Sequence, residues 1–290
     1  MTPTRRTVCS GLSASLLAAP ALAEAPTEAR WRELEARTGG RLGVSVGPWK
    51  SPILAWRAEE RFPLCSTFKV LLAAAILARV DADGERLDGV LTLREEDLLS
   101  YAPVSRQAVE TGGGTGRMTV AQACAAALVW SDNTAANLLF RRVGGPAGLT
   151  QWVRSTGDSL TRSDRTEPTL NTAIPDDPRD TTSPAAMRAT LARIVLDAPL
   201  TPASRERLEG WMRGSQTGFK RLRAGLPAGW HVGDKTGTGD NGTYNDVAIL
   251  RPPGRAPLFA AVYLTGATAP AAACETVHAE IGRLIADVSG

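Results

Sequence analysis

Histidine and cysteine are both scarce in this sequence, and each shortage excludes a class of protein. The only histidines are His231 and His278, and no His/Cys cluster has the spacing of metal ligands, so a zinc hydrolase is excluded. Three of the four cysteines follow residue 23, an odd number without paired spacing, which argues against a disulfide framework. We therefore expect a chain that needs no metal and no cofactor and that relies on its core.

An excess of charge of one sign is also lacking. The net charge is +3, and it falls to about +1 when residues 1–23, which carry Arg5 and Arg6 but no acidic residue, are removed. Both signs are scattered along the chain, so nothing indicates nucleic acid or an acidic membrane surface as a partner.

The first 23 residues are predicted to be an export signal. Arg5 and Arg6 precede an apolar run of small residues at 8–19, and Ala21-Leu22-Ala23 has the small-x-small form of a cleavage site. The run is too short and too rich in Ala and Ser for a lasting membrane span, so no membrane anchor is expected. The arginine pair resembles a twin-arginine signal, although general export machinery also accepts such pairs. We expect an exported, periplasmic bacterial protein that is cleaved near Ala23.

Periodicity along the remaining chain predicts strands near both ends and helices between them. Strands are predicted at 41–47, 53–57, 230–238, 243–251 and 257–265, and helices at 27–37, 66–80, 119–130, 133–142, 146–155, 183–196, 202–213 and 271–287. The polar, proline-bearing residues 156–182 are predicted to be a long loop that is either functional or disordered. The Gly112–Gly116 stretch is expected to be flexible, without an assigned role.

This order of elements predicts an α/β fold with an antiparallel sheet flanked by helices in three α/β/α layers. Residues 24–62 and 214–290 would form the α/β domain, since one sheet can be built from both ends of the chain. Residues 63–213 would form an inserted all-helical domain, with the active site between the two.

Lysine is the scarcity that points to chemistry. Four lysines stand beside 29 arginines, and arginine cannot release its proton inside a protein, whereas a buried lysine can. Lys69 lies three residues after Ser66 at a predicted helix start, so both side chains would share one face. A neutral lysine could activate the serine as a nucleophile, and the helix start could supply N–H groups for an oxyanion. Taken alone, the pair could also be a capping serine beside a solvated lysine.

Two further motifs place polar side chains at the ends of predicted elements. They are Ser131-Asp132-Asn133 and Lys235-Thr236-Gly237-Thr238. The first could relay a proton and orient a substrate carbonyl, or could only cap a helix. The second puts a lysine on a strand, where it is costly unless it meets an anion, with a glycine that permits close approach of a ligand. The alternative is an edge strand protected by its lysine.

In this order, Ser-x-x-Lys, Ser-Asp-Asn and Lys-Thr-Gly resemble the combined signature of the serine penicillin-recognising enzymes, above all the class A β-lactamases. The resemblance covers essentially the whole chain after the signal. It is carried by residues 61–72, 101–104, 131–139, 165–171 and 234–239. It implies a β-lactamase/transpeptidase-like fold and a monomeric enzyme that hydrolyses the β-lactam amide of penicillins and cephalosporins through a serine acyl-enzyme, giving antibiotic resistance.

The resemblance also implies the site residues and their roles. The catalytic set would be Ser66, Lys69, Ser131, Glu167 and Asn171, and the substrate-binding set Tyr101, Asn133, Lys235, Thr236, Gly237, Thr238 and Arg221. The backbone N–H groups of Ser66 and Thr238 would hold the oxyanion, and Lys235 and Arg221 would lower the pKa of Lys69. Either Lys69 or Glu167 would be the base in acylation, and the substrate spectrum and inhibitor sensitivity stay open.

The loop segment that contains Glu167 and Asn171 distinguishes a lactamase from its rivals. By resemblance these two residues activate the water that hydrolyses the acyl-enzyme, and an ion pair between Arg165 and Asp180 closes the loop. Without such water activation the chain would be a D-alanyl-D-alanine carboxypeptidase or a β-lactam-binding protein that does not turn over.

The sequence departs from a common family pattern at two places. Tyr244 stands where many members carry the arginine that binds the substrate carboxylate, so Arg221 is expected to replace it, oriented by Glu275. The usual disulfide partner of Cys124 is replaced by Ala73. Cys65 is expected to face Gly239, and all three thiols after residue 23 are expected to be reduced core residues.

Overall fold

The structure, a computed structural model, describes residues 26–289, so the predicted export signal lies outside the described residues. Its strands are β1 (Arg41–Gly47), β2 (Leu54–Trp56), β3 (Phe62–Pro63), β4 (Val90–Arg94), β5 (Thr115–Thr119), β6 (Thr181–Thr182), β7 (His231–Gly239), β8 (Thr243–Arg251) and β9 (Leu258–Thr265). Its α-helices are α1 (Glu28–Thr38), α2 (Phe68–Asp81), α3 (Pro103–Thr111), α4 (Val120–Val129), α5 (Asn133–Val143), α6 (Gly145–Ser155), α7 (Pro184–Leu196), α8 (Pro202–Arg213), α9 (Leu222–Gly225) and α10 (Ala271–Ser289). None of the helices within 26–289 has the length and apolar character that crossing a membrane requires.

The central sheet is antiparallel and has the strand order β2-β1-β9-β8-β7, so it draws strands from both ends of the chain as expected. Strand β9 is apolar throughout because both of its faces are buried. Phe259, Ala261 and Tyr263 pack into the core shared with the helices between the two sets of strands, while the alternate residues pack into the core formed with α1 and α10. Both faces of the sheet are covered, which confirms the three-layer α/β fold. The domain boundaries at 62/63 and 213/214 stay a prediction.

Helix α2 lies at the centre of the helical part. Its residues 70–77 are buried on every side, as the all-apolar sequence predicts. The α-helix begins at Phe68, and the preceding residues Cys65–Thr67 form a 3-10 turn, so the predicted helix start at Ser66 is two residues early. The long loop over 156–182 is also present. It contains a 3-10 turn at Thr169–Asn171 and the two-residue strand β6, which pairs with β3.

The elements that sequence periodicity did not indicate are short and partly exposed. Strands β4 and β5 pair with each other, and α3 lies between them in the chain. In the glycine stretch that was assigned no role, residues 112–114 form the turn between α3 and β5, and Thr115 and Gly116 begin β5. Gly113 and Gly114 have φ values of +64° and +101°, where a side chain would be strained.

The three described cysteines are buried with free thiols, as expected. Burial raises the pKa of the Cys65 and Cys124 thiols, which keeps them protonated and unreactive. A methyl group placed on Gly239 would lie 2.6 Å from Cys65 Sγ, which confirms that Cys65 faces this glycine.

Candidate active site

The turn that carries Ser66 is held against the edge of the sheet by a side chain on β8. Asn245 Nδ2 donates to the carbonyl oxygens of Pro63 at 2.9 Å and Leu64 at 3.2 Å. On β7, Gly237 lies against the same turn, because a Cβ there would be 3.0 Å from the Leu64 oxygen and 3.2 Å from Cys65 Cβ. The glycine was expected to admit a ligand. The structure shows that it also leaves room for the turn that carries Ser66, since a Cβ at this position would press on that turn.

Lys69 lies at the centre of the hydrogen-bond network of the site. Its side chain is fully buried, and Nζ lies 3.0 Å from Ser66 Oγ, 2.6 Å from Asn133 Oδ1 and 2.8 Å from the carbonyl oxygen of Ser131. A carboxylate oxygen, Glu167 Oε1, lies 3.0 Å from the same amine. The amine therefore joins the serine of one motif, the asparagine of the second and the glutamate of the long loop.

Burial lowers the pKa of Lys69, and the charge and hydrogen bond of Glu167 oppose that shift. Burial, rather than the expected repulsion from Lys235 and Arg221, is thus the main cause at Lys69. At Lys235, burial comes first and the Lys69 charge second, and together they hold the pKa well below its usual range. Two buried amines that repel each other are each easier to deprotonate than an exposed lysine.

Ser131 lies between the two lysines. Its hydroxyl accepts from Lys235 Nζ at 2.9 Å and from Lys69 Nζ at 3.3 Å, and its backbone is left-handed with φ of +61°. The neighbouring Asp132 caps α5 by accepting from Ala135 N at 2.8 Å. Its carboxylate also accepts hydrogen bonds from the backbone N–H and the hydroxyl of Ser105 on α3. The predicted role of this motif as a helix cap did not include this contact. This anchoring holds Ser131 in its strained conformation.

Glu167 is held from both sides of the loop. Asn137 on α5 accepts from Glu167 N at 3.0 Å and donates to its carbonyl oxygen at 2.9 Å, while Asn171 Nδ2 donates to Oε2. The predicted pair between Arg165 and Asp180 is present at 2.6 Å. Glu167 Oε1 also lies 3.4 Å from Ser66 Oγ. The carboxylate is therefore fixed beside the serine by residues that come from three different parts of the chain.

Arg221 occupies the end of the site nearest Thr238. Its guanidinium donates to the Thr238 hydroxyl at 2.6 Å and to the carbonyl oxygens of Gly237 and Asn245 at 2.8 and 2.5 Å. Tyr244, which stands at the position of the missing arginine, has its ring centre 5.6 Å from the guanidinium carbon. The residue expected to orient Arg221, Glu275, contributes charge attraction but, among the described residues, no hydrogen bond to it.

A cavity of about 330 Å³ opens over these groups. It is lined by Ser66, Tyr101, Ser131, Asn133, Asn171, Thr217, Arg221, Thr236 and Thr238. Tyr101 is half exposed at the mouth, and the titratable groups Lys69, Glu167 and Lys235 lie buried beneath the lining. Thr217, whose hydroxyl is 2.6 Å from that of Thr236, belongs to none of the sequence motifs. A strand-adjacent loop threonine carries no sequence signal of its own.

His278 is buried close enough to Arg221 to be affected by its charge, and its protonation should make the free energy of unfolding depend on pH. Burial, aided by the Arg221 charge, lowers its pKa to about 3, while an unfolded histidine has its ordinary value near 6.5. Between these values only the unfolded chain binds the proton, so stability falls as pH falls, by up to about 1.4 kcal/mol per pH unit. In urea unfolding from pH 7 to 4.5, His278→Gln should therefore lose less stability than wild type. The exposed His231→Gln should follow wild type, and parallel curves for all three proteins would contradict the assignment.

Comparison with known proteins gives consistent matches. The sequence model of the beta-lactamase enzyme family matches residues 26–288. The chain is 42% identical to β-lactamase CTX-M-8 of Citrobacter amalonaticus over 278 residues, which are 95% of this chain and 94% of that protein. It is 47% identical to β-lactamase Toho-1 of Escherichia coli over 233 residues, 80% of this chain and 78% of that one. A solved structure of the class A β-lactamase of the last common ancestor of Gram-negative bacteria superposes with a TM-score of 0.86 at 55% identity, covering 90% and 98% of the two chains.

Proposed function

The chain belongs to the beta-lactamase enzyme family, and we propose that Ser66 is the nucleophile through which it opens the β-lactam ring. It is a class A β-lactamase, which hydrolyses β-lactams and so confers resistance to them. One observation carries the proposed assignment: Lys69 Nζ lies 3.0 Å from both Ser66 Oγ and Glu167 Oε1. Nucleophile, amine and carboxylate thus meet at one point on the floor of the cavity.

Acylation begins when Ser66 Oγ attacks the lactam carbonyl and loses its proton. Lys69 can receive the proton directly, because its lowered pKa makes the neutral amine accessible. Glu167 is the alternative acceptor, directly or through a water molecule, since its Oε1 lies 3.4 Å from Ser66 Oγ. The geometry supports both routes. The N–H groups of Ser66 and Thr238 are proposed to hold the oxyanion, a type of contact that contributes about 10²–10³ in kcat per donor.

Departure of the ring nitrogen requires a proton, and Ser131 is proposed to deliver it. The hydroxyl lines the cavity and accepts hydrogen bonds from Lys69 and Lys235. When Ser131 gives its proton to the nitrogen, a protonated lysine can replace that proton at once. Asn133, which accepts from Lys69 at 2.6 Å and lines the cavity, is proposed to position the substrate's amide side chain, with Tyr101 packing at the mouth.

Hydrolysis of the acyl-enzyme is assigned to Glu167 and Asn171. The two side chains are hydrogen-bonded to each other, and Asn171 reaches the cavity wall. A water held between them would lie beside the ester, where the carboxylate takes its proton. Water activation of this kind distinguishes hydrolysis from the stalled acylation expected of a carboxypeptidase or a non-turnover binding protein. Mixing purified protein with a chromogenic cephalosporin tests the function directly: many turnovers per enzyme are expected, and a single stoichiometric burst would contradict it.

The substrate carboxylate is proposed to bind between Thr236, Thr238 and Arg221, with Lys235 beneath. Replacing Arg221 by alanine should raise KM for benzylpenicillin about 10–100-fold with a smaller change in kcat, because a charge-assisted hydrogen bond contributes about 1.5–3 kcal/mol. Steady-state kinetics with Lys220→Ala, an adjacent exposed cation, as the matched control will measure this. Equal KM values for the Arg221 variant and wild type would remove Arg221 from the carboxylate site.

Export, periplasmic location and a monomeric state are proposed from the N-terminal pattern and from the class A relatives. Residues 1–23 are assigned as the cleaved signal, with Arg5 and Arg6 directing the chain to the twin-arginine route. The exported protein should begin at Glu24, as read by N-terminal sequencing of the periplasmic fraction. Replacing both arginines by lysine should block export, and unchanged periplasmic activity would assign the chain to the general route.

A further inference from the structure

A second cavity, of about 520 Å³, opens at the neck of the long loop and shares no lining residue with the active-site cavity. It lies between helix α6 and residues 159–164 of the loop over 156–182. We call this part the first limb of the loop, and the part that ends at Thr181 the second limb. The charged lining residues of the cavity are Arg61, Arg154, Arg162 and Asp164, and Ser159 and Leu160 contribute to the same wall. Three guanidinium groups and a single carboxylate therefore share one concave surface, which we call the neck cavity.

Two of these arginines are held by neutral acceptors on the loop. Arg61 Nη1 donates to the carbonyl oxygen of Leu160 at 3.2 Å and to the hydroxyl of Thr181 at 3.0 Å, so it joins both limbs of the loop. Arg154 Nη1, from α6, donates to the carbonyl oxygens of Asp158 at 2.7 Å and of Thr161. The carbonyl groups of residues 160 and 161 are consecutive, so the two guanidinium groups converge on one short segment.

The charge of this cavity is not balanced. Arg162 pairs with Asp164 at 2.6 Å, but within residues 26–289 neither Arg61 nor Arg154 forms a salt bridge. Two positive charges therefore remain on the wall of the neck cavity, where their mutual repulsion favours an anion.

A cavity lined by Pro202, Arg205, Glu206, Glu209, Arg213 and Arg251 provides the contrast. It also holds three arginines, but two glutamates accompany them, and Glu209 pairs with both Arg251 and Arg213. The excess of positive charge is thus a property of the neck cavity and not of every arginine-lined surface of this chain.

We propose that the neck cavity binds an anion with two linked phosphate groups. Each guanidinium has a planar fork that matches phosphate oxygens, and Arg61 and Arg154 each use only Nη1 for the hydrogen bonds described above. The exposed Ser159 adds a hydroxyl at the rim. The cavity is wider than one phosphate group requires, and its net charge of two suits a diphosphate better than a monoanion.

The bound anion links elements that position Glu167 without touching the reacting atoms. Through Arg154 it contacts α6, and through Arg61 it contacts the chain just before the Ser66 turn and both limbs of the loop. The loop is then held at its neck as well as by the pair between Arg165 and Asp180. Since a ligand that binds only the folded state stabilises it, the anion should raise the melting temperature progressively as its concentration exceeds its dissociation constant.

The test is calorimetric titration of the full enzyme with inorganic pyrophosphate at low ionic strength. Binding to one site outside the active-site cavity is expected, with affinity reduced at least tenfold in Arg154→Gln and reduced less in Arg154→Lys, which keeps the charge but loses the fork. Arg213→Gln is the matched control and should bind as wild type does. Melting curves without pyrophosphate establish that each variant is folded.

Pyrophosphate could also reach Lys235 and Arg221, so inhibition of cephalosporin hydrolysis is measured in parallel. Any inhibition of cephalosporin hydrolysis by pyrophosphate should be the same in wild type and in Arg154→Gln. A second arm uses vesicles containing diacylglycerol pyrophosphate, a lipid whose headgroup is a diphosphate: sedimentation that depends on Arg154 would assign the diphosphate to a lipid headgroup, and its absence to a soluble diphosphate. No binding of pyrophosphate, or equal binding by wild type and Arg154→Gln, overturns the proposal.

Discussion

Replacing Glu167 by alanine is expected to convert a turnover enzyme into one that acylates and stops. The carboxylate lies 3.4 Å from Ser66 Oγ and is hydrogen-bonded to Asn171, so its loss removes the base that we propose activates water against the ester. General-base catalysis contributes about 10²–10⁴ in rate, and kcat for benzylpenicillin should fall by at least that factor. Mass spectrometry should then show the covalent penicilloyl adduct on Ser66 at near full occupancy.

The same variant reports on the base used in acylation. If Lys69 receives the serine proton, the burst of acylation should keep nearly its wild-type rate while steady-state turnover is lost. If Glu167 receives it through water, burst and turnover should slow together. Asp176→Ala, which removes an exposed carboxylate from the same loop, is the matched control and should retain full turnover. Full turnover by Glu167→Ala would refute the assignment of this residue.

Replacing Lys69 by arginine is expected to be nearly as damaging, although the charge is conserved. Arginine cannot become neutral in a protein, so it cannot accept the Ser66 proton or relay one to Ser131. It is also larger, and the lysine pocket has no exposed surface to accommodate it. We expect kcat/KM for benzylpenicillin to fall about 10²–10⁴-fold.

The control for this substitution comes from the small number of lysines. Lys220→Arg makes the same chemical change at an exposed position next to Arg221 and should leave kcat/KM unchanged. Circular dichroism and thermal melting distinguish loss of chemistry from loss of folding in the Lys69 variant. A folded Lys69→Arg enzyme with wild-type acylation would show that a titratable amine is not needed at this position.

Much of the fold could be predicted because its elements are long and periodic. Strands β1, β8 and β9 and helices α2, α5, α8 and α10 were predicted to within a few residues. The pairs β3–β6 and β4–β5 could not be predicted, since two-residue strands have no period and the β4–β5 ladder depends on residues far apart in the chain. Helix α3 is anchored by hydrogen bonds from Ser105 to Asp132. The two residues are 27 positions apart, so local sequence does not encode the contact.

The candidate site could be predicted as a set of residues but not as a set of contacts. Asn137, Asn245 and Thr217 hold or line the site, yet each is an ordinary polar residue on a helix, a strand or a loop. That Gly237 admits a ligand stays a prediction, and its contact with the turn that carries Ser66, 171 positions earlier in the chain, could not be predicted from the sequence. Contacts of this kind depend on how the sheet edge meets the helical core.

The sequence by itself was enough to identify a β-lactamase, because its three short motifs and the Glu167 segment together resemble the combined signature of the class A enzymes. Only the tertiary structure decided how those side chains work together. It places Ser66, Ser131 and Glu167 around one buried amine, and burial then lowers the pKa of that amine. It also brings Arg61 and Arg154 to one cavity, where neither forms a salt bridge with any residue of 26–289. Charge and pKa depend on distance and solvent exposure, and neither is a property of local sequence.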